Sequence, residues 1–395
     1  MRLLFTPSEF PPGPGGIGTH AYELAQHLVK LGWEIVVITP QNYASQEEIK
    51  AFDVAQPFTI RRLPHLPVAA LKAVYRWHVI SGWVKKWKPE IYLASGDRTV
   101  YLGACIAQRH RLPWIAVEHG RIPAGWERRL KRWALQQAST VVCVSEYTRQ
   151  QMNAIGIRPR MERVIPNGAN AARFRALPSQ EVNDFRAGLR MSRAKLLLSV
   201  GNVSERKGQD VVIRALPLIL EKEPNTQYLI AGMPTREKDF RRLARRLGVA
   251  DHVHFLGRVD TDSLILLLNC CDIFVMTSRH TVDEFEGFGI AVVEAALCGK
   301  PAVVTANSGL AEAIVDGETG LCVPEDDEFS TAQAILSLLK DEEQRQRIGE
   351  AARVRALVEQ RWESRVGEYD ALLRGLLRPT AVTSVRENSE AEHAF

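Results

Sequence analysis

Residues 273–305 read IFVMTSRHTVDEFEGFGIAVVEAALCGKPAVVT and contain a complete strand–loop–helix–strand pattern. The apolar runs at 273–277 and 301–305 are typical of buried strands, and the helical segment between them ends near Gly299. Two strands joined through one helix form a βαβ unit, in which the strands pair in parallel. The stretch therefore predicts an α/β fold built on a parallel sheet.

The same alternation of apolar runs and helical patterns extends in both directions along the chain. In the N-terminal half, strands are predicted at 3–6, 34–39, 91–95, 114–118, 141–145 and 163–166. The pattern then restarts, with strands predicted at 195–201, 227–231, 252–256, 273–277, 301–305 and 320–323. Two series of this kind predict two doubly wound, Rossmann-like domains.

The restart of the pattern also predicts the domain boundaries. Residues 1–175 are expected to form the first domain and residues 190–359 the second. A last helical pattern at 360–378 is expected to cross back onto the first domain, and the polar residues 379–395 to be disordered. Ligands of doubly wound sheets bind at the carboxyl ends of the strands, so the cleft between the domains is the expected site.

The composition argues against several classes of protein. A net charge of +5 on 395 residues is too mild for a dedicated nucleic-acid-binding protein but suits an anionic small ligand. The six cysteines form no C-x-x-C pair, which is typical of buried thiols in a reducing compartment. The chain has no signal-peptide pattern at its start and no window near the ~18 apolar residues of a membrane span. These features predict a cytoplasmic location.

The chemistry is concentrated around two carboxylates of the first stretch. Glu286 lies in a loop before Gly287-Phe288-Gly289, where glycines let a ligand approach the backbone of the following helix. The free N–H groups and positive dipole at a helix start favour phosphate. Glu294 follows eight residues later, and eight helical residues rise about 12 Å, so the two carboxylates are expected at opposite ends of one nucleotide sugar. Because Glu294 lies in the apolar run IAVVEAAL, a purely solvated role for it is disfavoured.

A second charged segment follows the strand predicted at 195–201. In GNVSERKGQD, residues 201–210, Arg206 and Lys207 open the next helix. A cation at a helix start opposes the helix dipole unless an anion is bound there. We therefore expect Lys207, together with Arg206, to neutralise a diphosphate. A pair of solvated loop cations is the alternative.

With these segments, the chain resembles the GT-B fold retaining glycosyltransferases of family 4 along nearly its whole length. The similar blocks, in the family's order, are EFPPGPGGIGTHAYELA, PWIAVEHG, VVCVSEYTR, VIPNGANAARF, SVGNVSERKG, VHFLGRV, EGFGIAVVE and SGLAEAIVDGETGLCVPEDD. QRWESRVGEY resembles the family's crossover helix, and the opening segment is similar to that of phosphatidylinositol mannosyltransferases. The resemblance implies transfer of a hexose from a UDP- or GDP-sugar to a hydroxyl of a glycan, lipid or small molecule. It also implies that neither a metal nor a cofactor takes part.

The resemblance also implies roles for individual residues. Lys207 would bind the donor diphosphate, Glu286 the hydroxyls of the transferred sugar, and Glu294 the ribose. His119, at the end of a first-domain strand, would reach the sugar across the cleft. Further donor contacts are expected from Gly16, Asn202, Arg206, Gly257, Arg258, Gly287, Phe288 and Gly289.

One position departs from the family pattern. Asn202 stands where family members usually carry arginine, so the phosphate site lacks one cation, for which Arg206 is the candidate replacement. The departure leaves open a nucleotide-sugar-binding protein without turnover. The other alternative is a GT-B sugar-nucleotide epimerase, which would convert the donor in the absence of an acceptor.

Residues 71–88 predict a contact of a different kind. The tryptophans Trp77, Trp83 and Trp87 are interleaved with several lysines and an arginine. Aromatic and cationic side chains on one helix can anchor it at an anionic lipid surface. This pattern predicts peripheral contact with the cytoplasmic face of a membrane, and the alternative is a core helix with a solvated basic face.

Overall fold

The structure is a computed structural model that describes residues 1–13, 15–40, 44–64 and 66–378. The tail predicted at 379–395 lies outside the described residues. Within the described ranges the strands form two sheets, and every strand pair is parallel. The prediction of two doubly wound α/β domains is confirmed.

The N-terminal domain contains the first sheet and the helices that connect its strands. The strands are β1 (Arg2–Pro7), β2 (Glu34–Pro40), β3 (Thr59–Leu63), β4 (Ile91–Ser95), β5 (Trp114–Glu118), β6 (Thr140–Cys143) and β7 (Glu162–Val164). The helices are α1 (Gly16–Lys30), α2 (Gln46–Val54), α3 (Ala69–Trp87), α4 (Asp97–His110), α5 (Gly125–Gln136) and α6 (Glu146–Ala154). The strand order is β3-β2-β1-β4-β5-β6-β7.

The C-terminal domain repeats this plan after α7 (Ser179–Gly188), a helix that lies between the two predicted domain ranges. Its strands are β8 (Lys195–Val200), β9 (Thr226–Ala231), β10 (Val253–Gly257), β11 (Ile273–Met276), β12 (Ala302–Thr305) and β13 (Gly320–Val323). Its helices are α8 (Gln209–Leu220), α9 (Glu237–Arg246), α10 (Thr261–Cys270), α11 (Ile290–Leu297), α12 (Glu328–Lys340) and α13 (Glu342–Glu359). The strand order is β10-β9-β8-β11-β12-β13.

The last helix, α14 (Trp362–Leu377), follows the C-terminal domain in the chain but packs on α1 of the N-terminal domain. Its Tyr369 hydroxyl lies 3.2 Å from Nε2 of His20 in α1. Its Asp370 accepts a hydrogen bond of 2.7 Å from the Trp33 indole N–H. The predicted crossover is therefore confirmed.

Burial explains which strands the sequence revealed. The strands β4 and β5 are buried along their whole length because helices cover both faces of a parallel sheet, so they read as continuous apolar runs. The edge strand β3 has the sequence TIRRL, and only Leu63 in it is fully buried. Because most of its residues are polar, β3 was not predicted from the sequence.

The membrane-anchor hypothesis expects the tryptophans of α3 at the surface, and the structure places them differently. Trp77, Trp83 and Trp87 are partly buried and pack against the core of the N-terminal domain. The exposed apolar side chains of α3 include Leu71 and Val74, which are 61% and 66% exposed. Among the described helices, none is both long enough and apolar enough to cross a membrane.

Candidate active site

A cleft of about 1610 Å³ separates the carboxyl ends of the two sheets. Single-ligand pockets are typically about 300–1,000 Å³, so this cleft has room for two substrates. Both domains line it, as expected for facing doubly wound sheets. The predicted site residues that line it are Gly16, His119, Asn202, Arg206, Lys207, Arg258, Glu286, Gly287, Phe288, Gly289 and Glu294.

Gly257 is the predicted site residue that the cleft lining does not include. It ends β10 with a φ of +68°, and its carbonyl oxygen accepts a hydrogen bond of 2.8 Å from the N–H of Gly232. Gly232 itself lines the cleft. In this structure Gly257 thus supports a neighbouring loop that lines the cleft.

Two cations meet one carboxylate on the C-terminal wall of the cleft. Lys207 Nζ donates to Oε2 of Glu286 at 2.7 Å, and the Arg206 guanidinium donates to the same oxygen at 2.6 Å. Burial alone would raise the pKa of Glu286, but the charges and hydrogen bonds of Lys207 and Arg206 outweigh it and lower that pKa to about 2. The carboxylate is therefore ionised, with a pair of cations directly beside it.

A glycine sets the position of this cation pair. Gly208 has a φ of +68° and follows the short 3₁₀ turn Glu205–Lys207. A Cβ at this position would lie 1.8 Å from the carbonyl oxygen of Thr277, just beyond β11. Because glycine alone allows so close an approach, the turn lies against the end of β11 and Lys207 reaches Glu286.

The helix α11 begins beside these charges. Its N-cap is Gly289, in the left-handed conformation, and no acidic residue lies in its first turn. The helix starts only at Ile290, so the stretch from Glu286 to Glu294 is not helical throughout, and the assumption of eight helical residues behind the predicted rise of about 12 Å is wrong. Both carboxylates nevertheless line the same cleft, with the start of α11 between them in the chain.

Glu294 occupies a buried position that two residues of the N-terminal half help to shape. Burial raises the pKa of Glu294, the negative charge of Glu23 raises it further, and Arg173 partly offsets both, to give a value of about 7. Glu23 lies in α1, and its own pKa is also raised by burial. The sequence analysis missed Glu23 and Arg173, because nothing near them in the chain marks them as partners of α11.

His119 lies directly after β5, on the opposite wall of the cleft. Its Nε2 is 2.8 Å from the hydroxyl oxygen of Ser95, the last residue of β4. Burial, and secondarily the charge of Lys131, lower the pKa of His119 to about 3. The imidazole is therefore neutral near pH 7 and can only donate or accept hydrogen bonds there.

Backbone contacts between the domains bring Glu286 and His119 together. The N–H of Phe285 donates to the carbonyl oxygen of Gly120 at 3.0 Å, and the N–H of Ile122 donates to that of Asp283 at 2.7 Å. A Cβ on Gly287 would lie 2.1 Å from the carbonyl oxygen of His119. The loop that carries Glu286 is thus docked directly on the loop that carries His119.

Further links between the domains lie beside the cleft. The carboxylate of Glu312 accepts hydrogen bonds from the backbone N–H groups of Glu146 and Tyr147, at 2.9 and 2.6 Å, at the start of α6. Arg258 donates to the carbonyl oxygen of Pro12 at 2.8 Å. These contacts hold the two walls together in the structure, and they join residues too far apart in the chain for the sequence analysis to pair them.

Metal-binding side chains do not cluster in the described ranges: no three or more His, Cys, Asp or Glu residues there form a group suited to a metal ion. The charged groups that meet on the C-terminal wall include Arg206, Lys207 and Glu286, and Arg206 also lies 3.3 Å from the carboxylate of Glu284.

Two family models match the chain. Residues 14–173 match the model "Glycosyltransferase Family 4", and residues 181–355 match "Glycosyl transferases group 1". The two matched ranges correspond to the N-terminal and C-terminal domains, and together they span most of the chain.

Curated relatives and a solved structure agree with these matches. The GDP-mannose-dependent alpha-(1-6)-phosphatidylinositol monomannoside mannosyltransferase of Mycolicibacterium smegmatis is 28% identical over 391 residues, covering 94% of this chain and 98% of that protein. A glycogen synthase of Mycobacterium tuberculosis is 27% identical over 399 residues, covering 92% of each chain. The structure of HepE from Anabaena in complex with UDP and glucose superposes with a TM-score of 0.81 at 20% identity, covering 95% of this chain and 100% of HepE, and so shares the fold. The chain belongs to the GT-B glycosyltransferases of family 4, enzymes that transfer a sugar from a nucleotide-sugar donor.

Proposed function

We propose that the protein is a retaining hexosyltransferase that uses a UDP- or GDP-sugar and a hydroxyl acceptor on a lipid-linked molecule or a glycan. The observation that carries the proposal is the contact of Arg206 and Lys207 with a single carboxylate beside the start of α11. A pair of cations next to unpaired helix N–H groups is suited to a diphosphate. The remaining donor contacts predicted from the sequence are part of this proposal.

The cation pair suits the departure of a nucleoside diphosphate. As the bond between the anomeric carbon and the phosphate oxygen breaks, its electron pair moves to that oxygen. Lys207, Arg206 and the N–H groups at the start of α11 would stabilise the negative charge. In this mechanism protein cations carry out the charge stabilisation, and neither a metal ion nor a cofactor takes part.

The charge states of the other groups favour attack on the same face. Glu286 is held by two cations and has a pKa of about 2, which makes it a weak base and a poor nucleophile. His119 is neutral, and the single N–H of a neutral imidazole is too weakly acidic to act as a general acid. The acceptor oxygen therefore bonds to the anomeric carbon on the face from which the diphosphate leaves. Its proton passes to a diphosphate oxygen, and the configuration is retained.

An anionic lipid is the acceptor class that we favour. Lys72 and Arg76 of α3 line the cleft, and the exposed side chains of Leu71 and Val74 lie on the same helix. Cations facing the cleft beside exposed apolar residues suit a lipid with a negatively charged head group. The M. smegmatis relative, by its name, uses GDP-mannose and a phosphatidylinositol mannoside. The proposal includes peripheral contact of residues 71–88 with the cytoplasmic face of a membrane.

An assay with pure components tests the proposal. The protein is incubated with GDP-mannose, GDP-glucose, UDP-glucose or UDP-N-acetylglucosamine, and with vesicles that contain either phosphatidylinositol or only phosphatidylcholine. We expect release of the nucleoside diphosphate with one donor, dependent on phosphatidylinositol, and a product whose anomeric proton shows retention by NMR.

Other outcomes would contradict the proposal in distinct ways. Donor binding by calorimetry without turnover on any acceptor would indicate a binding protein. A new donor isomer formed without acceptor would indicate an epimerase. A product of inverted configuration would exclude the retaining mechanism but not glycosyl transfer.

A further inference from the structure

A buried serine contacts the histidine that is proposed to reach the transferred sugar. Ser95 is the last residue of β4 and is 0% exposed. Its hydroxyl oxygen lies 2.8 Å from Nε2 of His119, which follows the neighbouring strand β5. Among the side chains that the structure describes, this imidazole is the hydrogen-bond partner of the Ser95 hydroxyl. The contact depends on the pairing of β4 with β5, which brings the carboxyl ends of both strands to the cleft.

The imidazole is also held from other sides. The ring of His20 meets it edge to face, with 5.0 Å between ring centroids. His20 is fully buried in α1, and its Nε2 lies 3.2 Å from the hydroxyl of Tyr369 in the crossover helix. Gly287 packs against the carbonyl oxygen of His119. The ring therefore has little freedom to rotate, and the hydrogen bond to Ser95 determines which of its nitrogens remains for a ligand.

A hydroxyl that is buried needs an acceptor for its proton, because an unpaired polar hydrogen in the interior is costly. Nε2 of His119 is the acceptor that the described side chains offer to Ser95. If Ser95 donates to Nε2, the neutral ring carries its proton on Nδ1. That nitrogen then presents an N–H group, which can donate to a sugar oxygen but cannot accept a proton.

We propose that Ser95 is a positioning residue of the transfer reaction: its hydroxyl donates to Nε2 of His119 and holds the imidazole as the tautomer with its proton on Nδ1. This inference rests on the proposed function, in which His119 contacts the transferred sugar. The tautomer matters because a proton on Nε2 would leave Nδ1 without one. Nδ1 would then face a sugar hydroxyl or ring oxygen as a hydrogen-bond acceptor and not as a donor. Positioning of a neutral ring agrees with the lowered pKa of His119.

NMR can determine the tautomer of His119 directly, without a substrate. In protein labelled with ¹⁵N-histidine, the two ring nitrogens of a neutral imidazole differ widely in chemical shift, and His119→Gln identifies the signals. We expect His119 of the native protein to show a protonated Nδ1 and an unprotonated Nε2 at pH 7. A protonated Nε2 would overturn the proposal, whatever the enzyme turns over.

Substitutions test the effect on turnover. Ser95→Ala removes the hydroxyl without adding bulk, and we expect kcat to fall about tenfold, the effect of one hydrogen bond, with the KM of the donor changed less. Ser95→Thr keeps a hydroxyl and is expected to recover most of the loss. Ser199→Ala is the matched control, because Ser199 is a buried strand serine of the other domain that bonds to Tyr228 and Val275. It is expected to leave kcat unchanged.

A double-mutant cycle separates positioning from general damage. If Ser95 acts through His119, then Ser95→Ala has no further effect on kcat in a protein that already carries His119→Ala. Equal losses in the two backgrounds would overturn the proposal, as would native kcat for Ser95→Ala. A folded His119→Ala variant with native turnover would refute the role of His119 in the proposed function. A protein that turns over no donor at all would refute the proposed function and leave the NMR result to decide the tautomer.

Discussion

The two walls of the cleft differ in how they present polar groups to a ligand. The C-terminal wall carries ionised groups in contact, with Arg206 and Lys207 on the carboxylate of Glu286. The N-terminal wall presents His119, whose pKa of about 3 makes it neutral, beside the start of α1 at Gly16. The two walls meet where the loop of Glu286 docks on the loop of His119.

The difference in charge between the two walls shows how one site can bind an anionic group and a neutral sugar side by side. In the proposed function, the charges that would face the diphosphate are already gathered and partly desolvated before the ligand arrives, so little reorganisation is needed when charge develops. The neutral imidazole of His119 can contact the transferred sugar without the desolvation cost of an unpaired charge. In the proposed donor pose the diphosphate lies against the C-terminal wall, and the transferred sugar lies between Glu286 and His119.

Removal of the central cation should have the largest effect. We expect Lys207→Ala to lower kcat up to about 1,000-fold, because one preorganised group that stabilises a developing charge is worth about that much. The change is measured as release of the nucleoside diphosphate under saturating donor. Lys340→Ala, at an exposed lysine that ends α12, is the matched control. Native turnover of Lys207→Ala would refute the role of the C-terminal wall.

The contact between the walls is tested by Gly287→Ala. The added Cβ would lie 2.1 Å from the carbonyl oxygen of His119, a backbone atom that cannot move aside, so the loops must separate. A displacement of about 1 Å in an active site can cost about 100-fold in rate. We expect such a loss, with an increased radius of gyration by small-angle scattering.

Gly367→Ala is the control for that variant. Gly367 lies in α14, and a Cβ there would meet nothing within 4 Å. It should keep native turnover and native scattering. If Gly287→Ala were as active as Gly367→Ala, the docked loops would not be needed for catalysis.

Arg206 is the candidate replacement for the arginine that is missing at residue 202. We expect its substitution to have a smaller effect than the changes at Lys207 and Gly287. Arg206→Gln should weaken donor binding about tenfold in calorimetry, as expected for one charged hydrogen bond. Because Asn202 also lines the cleft, Asn202→Arg should restore much of that loss in the Arg206→Gln protein. Failure of this rescue would show that a cation at residue 202 does not reach the diphosphate in this chain.

The smallest effect should come from pH. Glu294 has a pKa raised to about 7 by burial and by Glu23, with Arg173 opposing, and ribose hydroxyls donate best to its ionised form. Donor affinity should therefore rise by at most about tenfold between pH 6 and pH 8, as the fraction of ionised Glu294 increases before binding, and by less where the protonated form keeps part of the affinity. Neither Glu286 nor His119 titrates in this range.

The intact nucleotide sugar is the right probe for this measurement, because its diphosphate has no titration near neutral pH. Glu294→Gln should bind the donor more weakly and with no slope between pH 6 and pH 8. A slope that persisted in Glu294→Gln would assign the pH dependence to another group.

The central strands β8, β11 and β12 of the C-terminal domain were predicted well because each is an apolar run that is buried on both faces. The edge strand β3 was missed because three of its five residues are polar, so it lacks an apolar run. The burial of Glu294 was also predicted, from its position in an apolar run, and the structure leaves it 8% exposed. By contrast, the predicted separation of Glu286 and Glu294 assumed a helix that begins four residues too early.

The amino-acid sequence alone was enough for the fold class, the family resemblance and the cleft residues that lie close together in the chain, such as Arg206 with Lys207. Local pattern suffices there, because burial and backbone geometry act on neighbouring residues. The pairing of Ser95 with His119, and of Glu23 with Glu294, required the folded chain. These partners are separated by many residues, and only the register of parallel strands and the closure of the two domains bring them within contact.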